Sequence, residues 1–86
     1  MAQLNIFYIT KNTMSEFIGI DKKIEDACSL HGGRITGSGM GPEGREVVVE
    51  VFPDTEVKNV VLALNKMHQR MIPAPLKFKV DIHLGC

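Results

Sequence analysis

The 86-residue chain is 44% hydrophobic and 23% charged, the balance of one ordinary globular domain with no room for a second core. Ten basic residues offset ten acidic ones; that balance argues against a dedicated nucleic-acid binder, which needs net positive charge to displace counterions, and against an acidic DNA mimic. No apolar run reaches the roughly 20 residues that span a bilayer, and Met1-Ala2-Gln3-Leu4-Asn5 shows no cationic segment leading into an apolar stretch, so no secretory leader is expected.

Leu4 to Thr10 reads Leu-Asn-Ile-Phe-Tyr-Ile-Thr. Its β-branched and aromatic side chains fall at both parities, which suits a central strand covered on one face and partly covered on the other. Lys11-Asn12-Thr13 breaks it. Thr13 and Glu16 stand at capping-box spacing. Phe17, Ile20, Ile24, Ala27, Cys28 and His31 then follow as one helical stripe. Gly19 weakens the first turns by about 1 kcal/mol relative to Ala, so the firm part of the helix begins near Ile20. Gly32 and Gly33 stop it, because glycine takes the left-handed conformation cheaply.

Arg34-Ile35-Thr36 predicts a short strand. Gly37 to Gly44 holds four glycines in eight residues and has no periodicity, which predicts a loop. Glu46 to Phe52 is a strand with Val47, Val49 and Val51 on one face and Val48, Glu50 and Phe52 on the other. Pro53-Asp54-Thr55-Glu56 opens a second helix with a capping residue and early acids that suit the helix dipole. Val57, Val60, Val61, Leu64, Met67 and Met71 form its apolar stripe, and Pro73-Ala74-Pro75 ends it. Leu76, Phe78, Val80, Ile82 and Leu84 alternate with Lys77, Lys79, Asp81 and His83, the pattern of a half-buried strand.

The order β-α-β-β-α-β predicts an α+β fold over residues 1–86 as one compact domain. The expected form is the ferredoxin-like sandwich: a four-stranded antiparallel sheet in spatial order 4-1-3-2, with both helices on one face. The alternative leaves the glycine-rich second strand unformed, giving three strands and two helices. In strand order and length the chain resembles the small ferredoxin-like domains, which include ACT-like ligand-binding domains, PII-like signalling proteins and RNA-recognition motifs. That likeness is to a superfold, which does not set function. Ile6-Phe7-Tyr8-Ile9 loosely resembles the first RNA-recognition motif, but Arg45 to Val51 carries none of the aromatics that stack bases.

Four features bear on chemistry. Cys28-x-x-His31 and His83-x-x-Cys86 offer thiolate and imidazole at one end of the inferred topology, the ligand types that zinc takes. The spacing matches no recurring zinc framework, Cys28 lies on a buried stripe, and neither a metal nor a cofactor is expected. The segment Gly37, Ser38, Gly39, Met40, Gly41 could cup an anion with its backbone amides, but it leads into a strand and not a helix, unlike a dinucleotide fingerprint. No nucleophile elbow and no HExxH is present. His68 reads as a boundary residue, and Glu46 and Glu50 stand about 13 Å apart along a strand. Nothing therefore points to catalysis. The face of the sheet away from the helices is the last feature. Asn5 prefers solvent, so Phe7 and Ile9 share its face. With Val48 they form an apolar centre, and Glu50, Lys77 and Lys79 form a charged rim, which is the anatomy of a protein–protein interface.

The functional expectation is a small cytoplasmic, non-catalytic binding or regulatory protein, an inhibitor or adaptor. It acts through Phe7, Ile9, Val48, Glu50, Lys77 and Lys79 on a protein partner or in a homodimer, without nucleic acid or membrane. Two cysteines in a chain with a good apolar core read as reduced thiols. The alternative is a domain that senses an anionic metabolite at the glycine-rich segment or at the first strand–helix turn, and the third reading is a small enzyme that uses His31, His68 or a cysteine.

Overall fold

A computed structural model describes residues 2–9, 14–41, 44–71 and 76–84. The elements are β1 (Ala2–Ile9), α1 (Met14–Ser29), β2 (Gly33–Gly41), β3 (Gly44–Val51), a short 3-10 turn (Asp54–Glu56), α2 (Val57–Arg70) and β4 (Leu76–Leu84). The strands form one open antiparallel sheet in the order β2-β3-β1-β4, the expected 4-1-3-2 read from the other edge. The fold is α+β. No helix among the described residues is long and apolar enough to cross a membrane.

Period-two alternation decides which way the central strands face. Leu4, Ile6 and Tyr8 of β1 and Val47, Val49 and Val51 of β3 are fully buried. They share one core with Ile20, Ile24 and Cys28 of α1 and Val57, Val60 and Leu64 of α2. The two helical stripes are therefore the expected ones, and α1 and α2 pack on each other. Phe78 and Val80 of β4 are only partly covered, and Ile82 is 47% exposed. An edge strand has a neighbour on one side only, so its apolar face closes less completely. Neither Pro53 nor Glu56, at the starts of the 3-10 turn and of α2, caps with its side chain; Asp54 and Glu56 do place acids in the first turn. The region of the Thr13–Glu16 capping box, the first strand–helix turn at 10–13, the Pro73-Ala74-Pro75 stop and Cys86 lie outside the described residues, as do the side chains of Phe17, Leu76 and Leu84.

The largest departure from expectation is the glycine-rich segment, which is strand and not loop. Gly37, Ser38, Gly39, Met40 and Gly41 pair with Val48, Val47, Glu46, Arg45 and Gly44. Glycine has low strand propensity, but β3 offers a β-branched template, and cross-strand pairing outweighs local preference. The register shifts between Ile35 and Gly37, which leaves Thr36 as the extra residue of a bulge. A second shift lies in β4. Phe7 pairs with Lys79 but Ile9 pairs with Leu76, and Lys77 adopts φ 51°.

Gly32 follows α1 with φ 78°. A Cβ there would sit 2.3 Å from the Phe52 carbonyl oxygen, while Phe52 N–H donates to Gly32 O at 3.1 Å. Conformation and close approach both require glycine. Gly32→Ala is expected to destabilise the domain by more than about 1 kcal/mol, and Leu64→Ala by about 2–5 kcal/mol through lost transfer energy and a cavity. Urea unfolding checks both. A loss below about 1 kcal/mol for Leu64→Ala would mean that α2 presents a different face to the sheet.

Candidate functional site

The second face of the sheet is built by the same register that fills the core. Across the strands, His83, Gln3, Glu50 and Arg34 form one row; Asp81, Asn5, Val48 and Gly37 form the next; Lys79, Phe7, Glu46 and Gly39 form the third. The rows divide the face into two halves. Towards the start of β1, polar groups tie one another down. Gln3 Nε2 donates to Asn5 Oδ1 at 3.1 Å, Asn5 Nδ2 lies 3.5 Å from His83 Nε2, and Lys79 Nζ lies 3.8 Å from Asp81 Oδ1. Towards the end of β1 the surface is apolar. Phe7, Ile9 and Val48 are half-buried, and the Phe7 ring lies over Gly44, whose φ of 151° and missing side chain make room for it. The apolar patch is therefore displaced to one end of the face and not centred within a charged rim.

Of the rim residues, Glu50 sits opposite Gln3 and Arg34, two rows from Phe7, and Lys79 stands directly opposite Phe7. Lys77 does not take the expected place beside Ile9. The β4 bulge gives that register position to Leu76. Gly37, Gly39 and Gly41 occupy the β2 edge of the same face. A methyl added at Gly39 would meet nothing within 4 Å. Those at Gly37 and Gly41 would make only ordinary contacts at 3.9 Å.

Among the described residues, Cys28, His31 and His83 do not converge; Cys86 lies outside them. Cys28 is buried in the core, whereas His31 Nδ1 lies 3.5 Å from Glu56 Oε2, at the end of the sheet where Gly33, Val51, Ala2 and Leu84 align. His83 is on the opposite edge strand and faces Asn5. Three strand spacings, about 14 Å, separate the two edges. His68 of α2 stacks on Phe78 of β4 with ring centroids 4.6 Å apart, so it helps cover the edge strand.

One polar constellation was not anticipated from sequence. Tyr8 hydroxyl donates to Asp21 Oδ1 at 2.5 Å, and Arg45 donates to Asp21 Oδ2 from Nε at 2.9 Å and Nη2 at 2.5 Å. This ties β1, α1 and β3 together at the end of the sheet that carries Phe7. The signal that could have revealed it was the parity of Tyr8, whose phenol, once buried, needs a partner. Burial, and then the bond to Asp21, hold the Tyr8 hydroxyl well above its ordinary pKa. Arg45 is pushed up first by its hydrogen bond to Asp21. Three hydrogen bonds converge on the one carboxylate, so the set reads as a clamp between β1, α1 and β3.

No protein-family model matches the chain, and no curated protein matches it in sequence.

Three predictions follow from the clamp and the buried thiol. Asp21→Ala removes the acceptor that Arg45 and the Tyr8 hydroxyl share, and a loss of about 1–3 kcal/mol is expected in urea unfolding. Burial also pushes the Cys28 thiol up from 9.0 to about 12. The Tyr8 hydroxyl and the Cys28 thiol stay neutral in the folded state while their unfolded counterparts ionise. Their contribution to stability should therefore be unchanged below about pH 9 and be lost as pH rises from there towards 12. In a Cys86→Ser background, a thiol reagent at pH 8 should label Cys28 only on unfolding. Rapid native labelling would show that the thiol is not in the core.

Proposed function

We propose that this chain is a small non-catalytic binding protein that works in the cytoplasm by protein–protein contact, as a regulator, inhibitor or adaptor. We read its βαββαβ order as the ferredoxin-like sandwich with both helices on one face, which leaves the other face free to bind a protein partner or a second copy. The observation that carries the reading is the combination of Phe7, Ile9 and Val48 with a bare β2 edge. Gly37, Gly39 and Gly41 have neither positive φ nor a steric need for glycine. Alanine would be at least as stable there in the monomer, and glycine within a strand commonly marks close approach of another backbone or ligand. An aromatic anchor beside a flat, bare strip suits a partner that lies across the sheet, with Lys79 and Glu46 guiding its register. The anion-sensing alternative draws no support from this strip, because successive N–H groups of an extended strand point to opposite sides.

Light scattering on the purified protein, and capture of partners from the native host, test the proposal. Phe7→Glu should abolish the association found while leaving the circular dichroism spectrum and melting temperature nearly intact. Lys79→Glu should weaken it less, mainly through the on-rate. Gly39→Ala should leave stability unchanged or raise it by about 0.4–1 kcal/mol, yet weaken binding. If all three variants bind like the wild type, the open face is a solvated surface and the proposal fails.

A further inference from the structure

A second surface, independent of the sheet, lies between the two helices. Ala27 and Leu30 on the α1 side and Ala63, Met67 and Met71 on the α2 side line a groove of about 400 Å³. Its rim carries Lys23, Lys66 and Arg70, and no acidic side chain among the described residues lines it. None of the three cations forms an ion pair with another described residue. Leu30, just past the end of α1, is 78% exposed, the highest value among the large apolar side chains described.

We propose that this groove binds an acidic amphipathic helix of a partner protein. The spacing supports a helix. Lys23, Ala27 and Leu30 stand at i, i+4 and i+7 on one flank, and Ala63, Lys66, Met67 and Arg70 at i, i+3, i+4 and i+7 on the other. Each flank runs for seven residues, about 10 Å or two helical turns, the reach of an i/i+3/i+4/i+7 anchor set. The small side chains Ala27 and Ala63 leave a recess that a ridge of apolar side chains can enter. Met67 and Met71 are flexible and polarizable, so they can shape themselves to it. The sign of the charge identifies the partner's flanks. Three cations with no ion pair among the described residues stand around an apolar floor; Asp and Glu beside the apolar stripe satisfy them, and they repel a basic helix. A bilayer surface fits less well, because it takes a projecting apolar patch and not a recess.

Selection from a phage-displayed library of helical 15-residue peptides on the immobilised full chain tests this. Enriched peptides should carry net negative charge and apolar residues at i, i+3 or i+4, and i+7. Their affinity should fall roughly tenfold or more in Lys66→Glu/Arg70→Glu, fall with added salt, and drop in Leu30→Ser. Binding should survive Phe7→Glu, which separates this groove from the sheet face. Circular dichroism confirms that each variant is folded, and Lys23→Glu gives an independent check from the other flank. Failure to enrich peptides, enrichment of neutral or basic ones, or equal binding to the charge-reversed variant overturns the proposal. So does co-sedimentation with phosphatidylglycerol vesicles that is lost in that variant without peptide binding, which would make the surface a membrane contact. Self-association lost in the same variant would assign the groove to a second copy and overturn it equally.

Discussion

The pairing of β1 with β3 constrains everything else in this molecule. Seven consecutive residues of β1, Ala2 to Tyr8, face seven of β3 in one unbroken register, and alternate positions on both strands are fully buried. A slip by one residue would bring Asn5 and Phe7 inward and turn Leu4, Ile6 and Tyr8 outward, exchanging every side chain between faces. The core therefore holds the register, and the register in turn holds Phe7, Val48 and Lys79 in place on the other side. The Tyr8–Asp21–Arg45 clamp extends this control to α1, since it joins the two central strands to a helix through one carboxylate. The proposed binding face needs no framework of its own, because it is the reverse side of the packed one.

Much of this was legible in the sequence because periodicity is local. The stripe from Ile20 to Cys28, the stripe from Val57 to Met71, the parity of Val47, Val49 and Val51, and the outward turn of Asn5 each follow from residues a few positions apart. The misreadings share a different cause. Gly37 to Gly41 looks like loop in isolation and becomes strand only because β3 lies beside it. The Lys77 bulge is a mismatch between two strands distant in the chain. Tyr8, Asp21 and Arg45 are separated by 13 and 24 residues, so their meeting depends on topology. Gly32 and Gly44 show the same limit in a finer form. The sequence pattern makes Gly32 a helix stop, which it is, and Gly44 the end of a loop. Gly44, however, starts a strand and makes room for the Phe7 ring, a role that only the neighbouring strand reveals.

The two proposed surfaces differ in the physics that would select their partners. The sheet face is broad and flat, with one aromatic and a strip of bare backbone. It suits a partner that matches shape over several strands. The helical groove is narrow, deficient in negative charge and lined with methionine. It suits a short segment chosen by charge and amphipathicity, with tolerance for the identity of its apolar residues. Occupied together, the two would let a domain of 86 residues bring two proteins into fixed proximity.

Ala2 and Leu84 are direct neighbours on β1 and β4. The described ends of the chain thus emerge side by side, on the two strands at one edge of the sheet. Phe7 and Ile9 lie at the other end of β1, the full strand being about 23 Å long. A fluorophore or affinity tag joined at either end would therefore stand clear of the apolar patch and could report on it without blocking it.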